Sequence, residues 1–281
     1  MAISIPSTRK YGFRMNVVGA FGALIILFWV AIAIFAPHIT PYPVGKIVDF
    51  NNFAPMSSKD LLGTDYLGRD MLSRIIMGAR YTVGISAAGV TLACTIGVTL
   101  GMIAAVVGGI FDNVLSRFMD ALLSMPSLLF GLVVVAGVGS SIKVLILTLA
   151  VIYAPGSFRF ARSLAVNFNA MDFVTVARAR GEGILYLISE EIFPNIIGPV
   201  FADFGLRFVF IVLLLSGLSF LGLGVQPPQA DWGALVRQNL GGLSYGAPAV
   251  VFPSIAIASL TIAVNMVIDN LPQRIRDRIE Q

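Results

Sequence analysis

The chain has 281 residues, of which 57% are hydrophobic and only 12% are charged. Because soluble domains carry about 25% charged residues, this composition indicates a membrane protein without a separate soluble domain. The net charge of +4 fits a protein that gathers Lys and Arg on the cytoplasmic side of a membrane. The sequence shows no basic patch with interleaved aromatic residues, so no nucleic-acid partner is expected. Cys94 is the single cysteine, so an internal disulfide and a thiol metal site are excluded. His38 is the single histidine, so neither a His-rich metal site nor a Ser-His-Asp triad is expected.

The first apolar run predicts a spanning helix. Residues 1–14 are short and basic and are expected to form a cytoplasmic N-terminus. The run Val17–Ala36 resembles a signal peptide at Ala31-Ile32-Ala33, but its 20 residues exceed the usual core of about 7–15 residues. We therefore predict a retained helix.

Segment 15–79 is expected to hold this first transmembrane helix and then a periplasmic or interfacial stretch. Prolines between positions 37 and 55 break regular structure. Thr64 or Asp65 is the predicted N-cap of an amphipathic helix that begins near Gly68. Its apolar residues have helical spacing, which predicts a helix lying at the membrane interface.

A long uncharged run, Tyr81–Phe111, predicts a long or tilted second span. Small residues recur every four positions along it, and this spacing forms a groove that lets another helix approach closely. A face that lines a substrate path is the alternative. The residues assigned to helix packing are Gly89, Ala93, Gly97, Gly101 and Ala105.

Four further spans complete a predicted five-helix core over residues 80–270. Pro126 interrupts the third span. The fourth is so short that either Lys143 and Arg159 snorkel or the helix continues past Arg159. The predicted ranges are Ala121–Ile142, Val144–Phe158, Phe208–Gly224 and Pro248–Ile268, followed by a charged cytoplasmic tail at 271–281.

Six spans place both termini on one side of the membrane. If the termini are inside, most of the 19 Lys and Arg residues fall in inner segments. The positive-inside rule therefore predicts that both termini are cytoplasmic. It also places loop 159–199 in the cytoplasm.

The stretch 173–195 within this loop is the candidate functional site. Charges such as Arg178 and Glu182 keep it out of lipid, because each charge at the bilayer centre costs at least about 2.5–3.5 kcal/mol. A short helix, a glycine turn and a second helix are predicted, a shape that fits a cleft in a partner protein. A solvated loop is the alternative. The residues assigned to docking are Thr175, Ala177, Arg178, Gly181, Glu182, Gly183 and Pro194.

Two absences from the sequence bear on the energy source. No G-x-x-x-x-G-K-[ST] motif is present, so neither a phosphate-binding loop nor a bound nucleotide is expected in this chain. Asp112, Asp120, Asp203 and Asp269 fall near predicted cytoplasmic ends, whereas ion-driven carriers need ionisable groups near the midplane. Energy is therefore expected to come from a partner protein.

Three stretches outside the loop carry a resemblance to a known family. Residues 62–80 read LGTDYLGRDMLSRIIMGAR, residues 119–126 read MDALLSMP, and residues 218–233 read LSFLGLGVQPPQADWG. With these motifs, the chain resembles the inner-membrane permease subunits of binding-protein-dependent ABC importers, in the dipeptide/oligopeptide/nickel group. The resemblance covers nearly the whole chain.

The stretch 173–195 is similar to the ATPase-docking loop of this family. Thr175 and Val176 stand where the family usually has Glu and Ala. That difference concerns one contact with the ATPase, while the helix–glycine–helix frame remains. The positions that keep the pattern are Ala177, Gly181, Pro194 and Asn195.

The resemblance implies an all-α polytopic membrane protein with six transmembrane helices and the type I ABC importer permease fold. It also implies a bacterial inner-membrane location, a second homologous permease, two ATPase subunits that bind ATP and Mg, and a periplasmic substrate-binding protein. The chain itself would be no enzyme and would pass a peptide or similar small solute along a path whose residues the sequence does not assign. A stand-alone ion-coupled secondary transporter is the main alternative, and an intramembrane enzyme is a weaker one because no nucleophile–base or metal constellation is visible.

Overall fold

The computed structural model describes residues 16–270, so the predicted N-terminus 1–14 and tail 271–281 lie outside the described residues. Within 16–270 the chain is all-α, with two isolated β-bridges and no strand. The helices are α1 (Val17–Ile39), α2 (Met71–Val107), α3 (Gly109–Leu123), α4 (Ser127–Val138), α5 (Ile142–Asn169), α6 (Asp172–Ala179), α7 (Ile184–Tyr186), α8 (Phe193–Phe220), α9 (Trp232–Gln238) and α10 (Val251–Asp269).

Five of the described helical runs are long and apolar enough to cross a membrane, and a bent helix pair brings the total to six if it counts as one span. One of the five is continuous from Ile184 to Phe220, because a π-helical turn joins α7 to α8. The bent pair consists of α3 and α4, which meet at 85° around Pro126. The predicted interruption at Pro126 is thus a sharp bend rather than a kink within one helix.

Helix α2 differs from the sequence-based expectation. It begins at Met71 and runs unbroken for 37 residues, so no separate interfacial helix precedes the second span. The predicted boundary between residues 79 and 80 falls inside this helix. The N-cap is Asp70, whose Oδ2 accepts a hydrogen bond of 2.8 Å from the Ser73 N–H. Neither Thr64 nor Asp65 caps the helix, because it begins at Met71, and the Asp65 carboxylate instead pairs with two arginines.

Helix α5 continues to Asn169, so it runs past Arg159 rather than ending before it. This resolves the alternative that the short apolar run left open. The first eleven residues of the predicted loop 159–199 are therefore helical and belong to α5. The residues from 193 onward already belong to α8.

The stripe of small residues lies between α2 and α5. A Cβ added at Gly97 would lie 2.5 Å from the Ala154 carbonyl oxygen, and one added at Gly101 would lie 2.7 Å from the Phe158 carbonyl oxygen. Glycine thus lets the two backbones meet. The five stripe positions Gly89, Ala93, Gly97, Gly101 and Ala105 are all buried on α2.

Residues 40–70 and 221–250 form what we call the loop layer, at the end of the bundle where α2 begins. Trp232 is completely buried there, and its Nε1–H donates to the Ile75 carbonyl oxygen at 3.0 Å. The Tyr66 N–H donates to Asn239 Oδ1 at 3.2 Å. The two motifs around residues 62–80 and 218–233, distant in sequence, therefore pack against each other.

Buried charges hold the loop layer together. The carboxylate of Asp65 is fully buried and accepts from Arg69 Nε at 2.7 Å and from Arg74 Nη1. Asp231 accepts hydrogen bonds from Ser219 Oγ at 2.7 Å and from the Ala234 N–H at 3.0 Å. Burial raises the pKa of the Asp231 carboxyl, while these hydrogen bonds act in the opposite direction.

Candidate functional site: segment 170–192

Segment 170–192 connects α5 to α8 at the end of the bundle where α2 ends. It consists of α6, a turn at Gly181, and α7 with the following π-helical turn. The predicted order of helix, glycine turn and helix describes this arrangement. The segment is much shorter than loop 159–199, because α5 and α8 extend into that range.

The turn at Gly181 is a Schellman motif. Gly181 has φ +84°, its N–H donates to the Arg178 carbonyl at 2.9 Å, and the Glu182 N–H donates to the Ala177 carbonyl at 3.2 Å. These two bonds satisfy carbonyls that the end of α6 would otherwise leave free. Glycine is required here because its φ is in the left-handed region. Gly183 has φ −80° and does not have this requirement.

The π-helical turn Leu187–Ile192 directly precedes Pro194. Proline has no N–H to donate to the carbonyl four residues earlier, and its ring crowds that carbonyl. A widened turn at this point lets the helix continue without a break. Asn195 Nδ2 donates to the Glu191 carbonyl at 2.6 Å and satisfies one acceptor of the turn.

The inner face of the segment is anchored to the bundle by apolar contacts. Val174 and Ala177 of α6 are completely buried, and so is Ile192 of the π-helical turn. They belong to one core cluster with residues from the ends of α2 and α5. Those partners are Val98, Met102, Ala105, Val106, Ala161 and Ala165.

Two polar side chains tie the same face to the last turn of α2. Arg178 Nη2 donates to the Val106 carbonyl at 3.3 Å and to Asn169 Oδ1 at 2.7 Å. Asn169 Nδ2 in turn donates to the Ala105 carbonyl at 3.1 Å. The Arg178 guanidinium and the Asn169 amide thus donate to carbonyls at the C-terminus of α2, where carbonyls lack intrahelical partners. The segment is held to α2 and α5 by both apolar and polar contacts.

The outer face carries exposed apolar side chains. Leu185 is 81% exposed, Val176 56% and Ile184 48%. Tyr186 and Phe173 are exposed as well. We call these five residues the apolar patch. Single exposed apolar residues are normal, but several within one short charged segment are typical of a contact surface.

The residues that the sequence assigned to docking divide into three groups in the structure. Ala177 is buried and Arg178 faces the end of α2, so both anchor the segment instead of offering a contact surface. Gly181 shapes the turn, whereas Gly183 follows it with a φ that any residue can adopt. Exposed or half-exposed side chains at the surface are Thr175, Glu182 and Pro194.

The apolar patch itself was missed by sequence reasoning. In α6, Val174 and Ala177 lie on the buried face, so Phe173 and Val176 point the other way. The sequence did contain a signal for this patch, because the short charged helix α6 has apolar residues on both of its faces. The residues assigned from the sequence were those that match a family pattern, and some of them, such as Ala177, are buried.

The fold defines a polytopic membrane protein with a helical segment anchored at one end of its spans. A family profile described as "Binding-protein-dependent transport system inner membrane component" matches residues 97–279. The chain belongs to this family.

The chain is also similar to curated permease proteins over most of its length. It is 32% identical over 275 residues to the dipeptide transport system permease protein of Haemophilus influenzae, covering 96% of this chain and 93% of that protein. It is 32% identical to the di/tripeptide transport system permease protein of Pseudomonas aeruginosa, covering 90% and 86%. It is 32% identical to the glutathione transport system permease protein of Pectobacterium atrosepticum, covering 92% and 86%.

These findings confirm the family prediction and its fold. The chain is a multi-pass inner-membrane permease of a peptide-type ABC importer, which works with an ATPase and a substrate-binding protein. It is a transport component and not an enzyme. The alternative of a stand-alone secondary transporter is therefore wrong.

Proposed function

We propose that segment 170–192 docks on an ATPase subunit and transmits its movement to the membrane spans. The observation that carries this proposal is the contrast between the two faces of the segment. The inner face is fixed to α2 and α5, whereas the outer face presents the apolar patch. A rigidly held segment with an exposed apolar surface transfers the displacement of a partner to the helices that hold it.

The chain acts, in this proposal, as one of two similar permeases, and two ATPase subunits complete the membrane assembly. ATP and Mg bind to those ATPase subunits, and this chain holds no cofactor. Both termini and segment 170–192 face the cytoplasm, which agrees with the distribution of Lys and Arg in the sequence. The loop layer then faces the periplasm, where a binding protein delivers the solute.

The transported solute is a short peptide or a similar small molecule. Support comes from the dipeptide, di/tripeptide and glutathione transport systems whose permeases are similar to this chain. The permeases of these systems are equally similar in sequence to this chain although the systems take different solutes. Transport assays are therefore the way to identify the solute.

Replacing one residue of the apolar patch tests the docking role. Leu185→Asp adds a charge at the most exposed position of the patch, which is 81% exposed. Loss of an interface anchor costs about 2 kcal/mol or more, so retention of the ATPase subunits on the purified chain is expected to fall about thirtyfold. Retention is measured by co-purification through a tag on this chain.

Leu61→Asp is the matched control, because Leu61 is also an exposed leucine (60%) but lies in the loop layer. This variant should retain the ATPase subunits at the level of the unmodified chain. The docking role is contradicted if Leu185→Asp retains them as well as Leu61→Asp does.

A further inference from the structure

A buried ion pair lies at the contact between two of the long helices. Asp203 and Arg207 are on α8, and Asp203 was expected near a cytoplasmic end. The structure places it ten residues inside α8 and against α5, where Ser157 is also well inside its helix. Ten residues of helix correspond to about 15 Å, so these groups lie well away from the N-terminus of α8.

The pair is bidentate and extends to two further helices. Arg207 donates from Nε to Asp203 Oδ2 at 2.6 Å and from Nη2 to Oδ1 at 2.8 Å. Ser157 Oγ of α5 donates to Asp203 Oδ2 at 3.3 Å. The Cys94 thiol of α2 lies 3.4 Å from Ser157 Oγ. We call these four residues the polar junction.

The polar junction is buried. Only 8% of the Asp203 side chain and 14% of the Arg207 side chain are exposed, and Ser157 is completely buried. Removing an ion pair from water is costly, and the contacts around such a buried pair specify how the elements that carry it pack. The ATPase partner makes an ion-coupling function unnecessary for this pair.

Close backbone contacts occur at the same level. The Arg207 guanidinium lies directly against Gly156 of α5, where any Cβ would overlap with it. A Cβ on Gly97 of α2 would lie 2.6 Å from the Ser157 Cβ. Helices α2, α5 and α8 therefore meet at the polar junction through glycine contacts as well as hydrogen bonds.

One helix connects the polar junction to the candidate docking site. The helical run from Ile184 to Phe220 includes both the exposed Leu185 and the buried Asp203. A displacement applied to segment 170–192 acts directly on α8. Segment 170–192 also contacts α2 and α5 directly, and the polar junction adds a second connection among α2, α5 and α8 farther along α8.

We propose that Asp203 and Arg207 are positioning residues for transport, which with Ser157 fix α8 to α5 and α2 so that the three helices move as one rigid unit. This inference rests on the proposed docking of segment 170–192. The residues hold neither the solute nor nucleotide. Their function is to keep the helices in register while the segment moves.

Cys94, the single cysteine of the chain, reports on this function. The test measures its alkylation by N-ethylmaleimide in the purified complex with ATPase subunits, without nucleotide and after trapping with ATP and vanadate. In the unmodified chain Cys94 should stay protected in both states, because a rigid unit does not open during the cycle. Alkylation on trapping of the unmodified complex would overturn the proposal.

Two variants remove different parts of the polar junction. Asp203→Asn removes the charge that Arg207 pairs with, and Ser157→Ala removes only the hydrogen bond from α5. Both should leave Cys94 protected without nucleotide, and both should raise its alkylation on trapping. For Asp203→Asn the rise should be at least about tenfold, because losing one partner of a buried pair strongly destabilises its contacts. Unchanged protection in both variants on trapping would overturn the proposal.

Matched controls separate this effect from general loosening. Asp120→Asn makes the same chemical change in an exposed pair with Arg159, and Ser163→Ala makes the same change at an exposed serine of α5. Neither should alter Cys94 alkylation, and an equal rise in the controls would also contradict the proposal. If Leu185→Asp retains the ATPase subunits as well as Leu61→Asp does, the docking proposal fails and this one with it. If docking holds but Cys94 stays protected on trapping in both Asp203→Asn and Ser157→Ala, the polar junction alone is rejected.

Discussion

The two ends of the molecule use charged residues in opposite ways. In the loop layer, charged groups are buried and paired with one another, as in Asp65 between Arg69 and Arg74. In segment 170–192, the charged side chains Arg180 and Glu190 are exposed, and apolar residues such as Leu185 lie beside them on the surface. The loop layer is thus held together by charges paired inside this chain, whereas segment 170–192 keeps its charges at the surface.

The difference follows from how each end is held. The loop layer contains short helices such as α9 between irregular stretches, so it depends on side-chain bonds such as that from Trp232 Nε1 to the Ile75 carbonyl. Segment 170–192 is short helix, which satisfies its own backbone and needs only its inner face for anchoring. Its outer face is therefore available for docking. We therefore expect variants in the loop layer and variants in segment 170–192 to differ in the size and in the kind of their effects.

The largest effect is expected from Asp65→Asn in the loop layer. The change leaves two buried arginines without a carboxylate partner, and breaking such a buried pair costs about 3–5 kcal/mol. The measurement is denaturant unfolding of the detergent-solubilised chain. Asp49→Asn is the control, because Asp49 Oδ1 accepts from the Asn51 N–H at 2.9 Å and asparagine keeps that acceptor. Similar losses in both variants would show that the buried charges do not hold this layer.

A smaller effect is expected in α2, the helix that runs from one end to the other. Gly97→Ala places a Cβ 2.5 Å from the Ala154 carbonyl oxygen, and overpacking of this kind costs about 1–3 kcal/mol. Gly84→Ala in the same helix meets no atom within 4 Å, and replacing glycine in a helix gains about 0.5–1 kcal/mol. Thermal unfolding should therefore shift in opposite directions for the two variants. A shift in the same direction would contradict the close packing of α2 on α5.

The spans were predictable from sequence because lipid requires long apolar runs, and such runs are visible directly. The ends of the helices were less predictable. Arg74 was taken for a polar position on an interfacial helix, yet it is buried and donates to Asp65 and to Gln238. Its partners lie far away in sequence or in an irregular loop, so no local pattern reveals them.

The candidate site was predictable in outline and not in detail. The glycine turn follows from Gly181 in a charged interval, because glycine readily ends a helix. The burial of Ala177 follows from contacts with α2 that local spacing does not specify. The position of Asp203 depended on where α8 begins, and apolar content alone placed that start too late in the chain.

Gly181→Ala tests the shape of segment 170–192. Alanine at φ +84° costs about 1–2 kcal/mol, because its Cβ is disfavoured in the left-handed region. The loss should appear as faster amide hydrogen exchange in α6 while exchange in α2 stays unchanged. Gly183→Ala is the matched control two residues away, since its φ of −80° suits any residue and no atom lies within 4 Å. Equal exchange in the two variants would contradict the Schellman turn as the element that holds α6.

The smallest effect is expected from Glu191→Gln, which breaks the ion pair of this segment with Arg180. The two charged groups are 4.0 Å apart, and the Arg180 side chain is 57% exposed, so water screens their attraction. Such a pair contributes about 0–1 kcal/mol, and unfolding should change by less than this amount. The same carboxylate-to-amide change at Asp65 is expected to cost several times more, because there the charges are removed from water. A loss at Glu191 as large as that at Asp65 would contradict the distinction between buried charges that hold one end and exposed charges that surround a docking surface at the other.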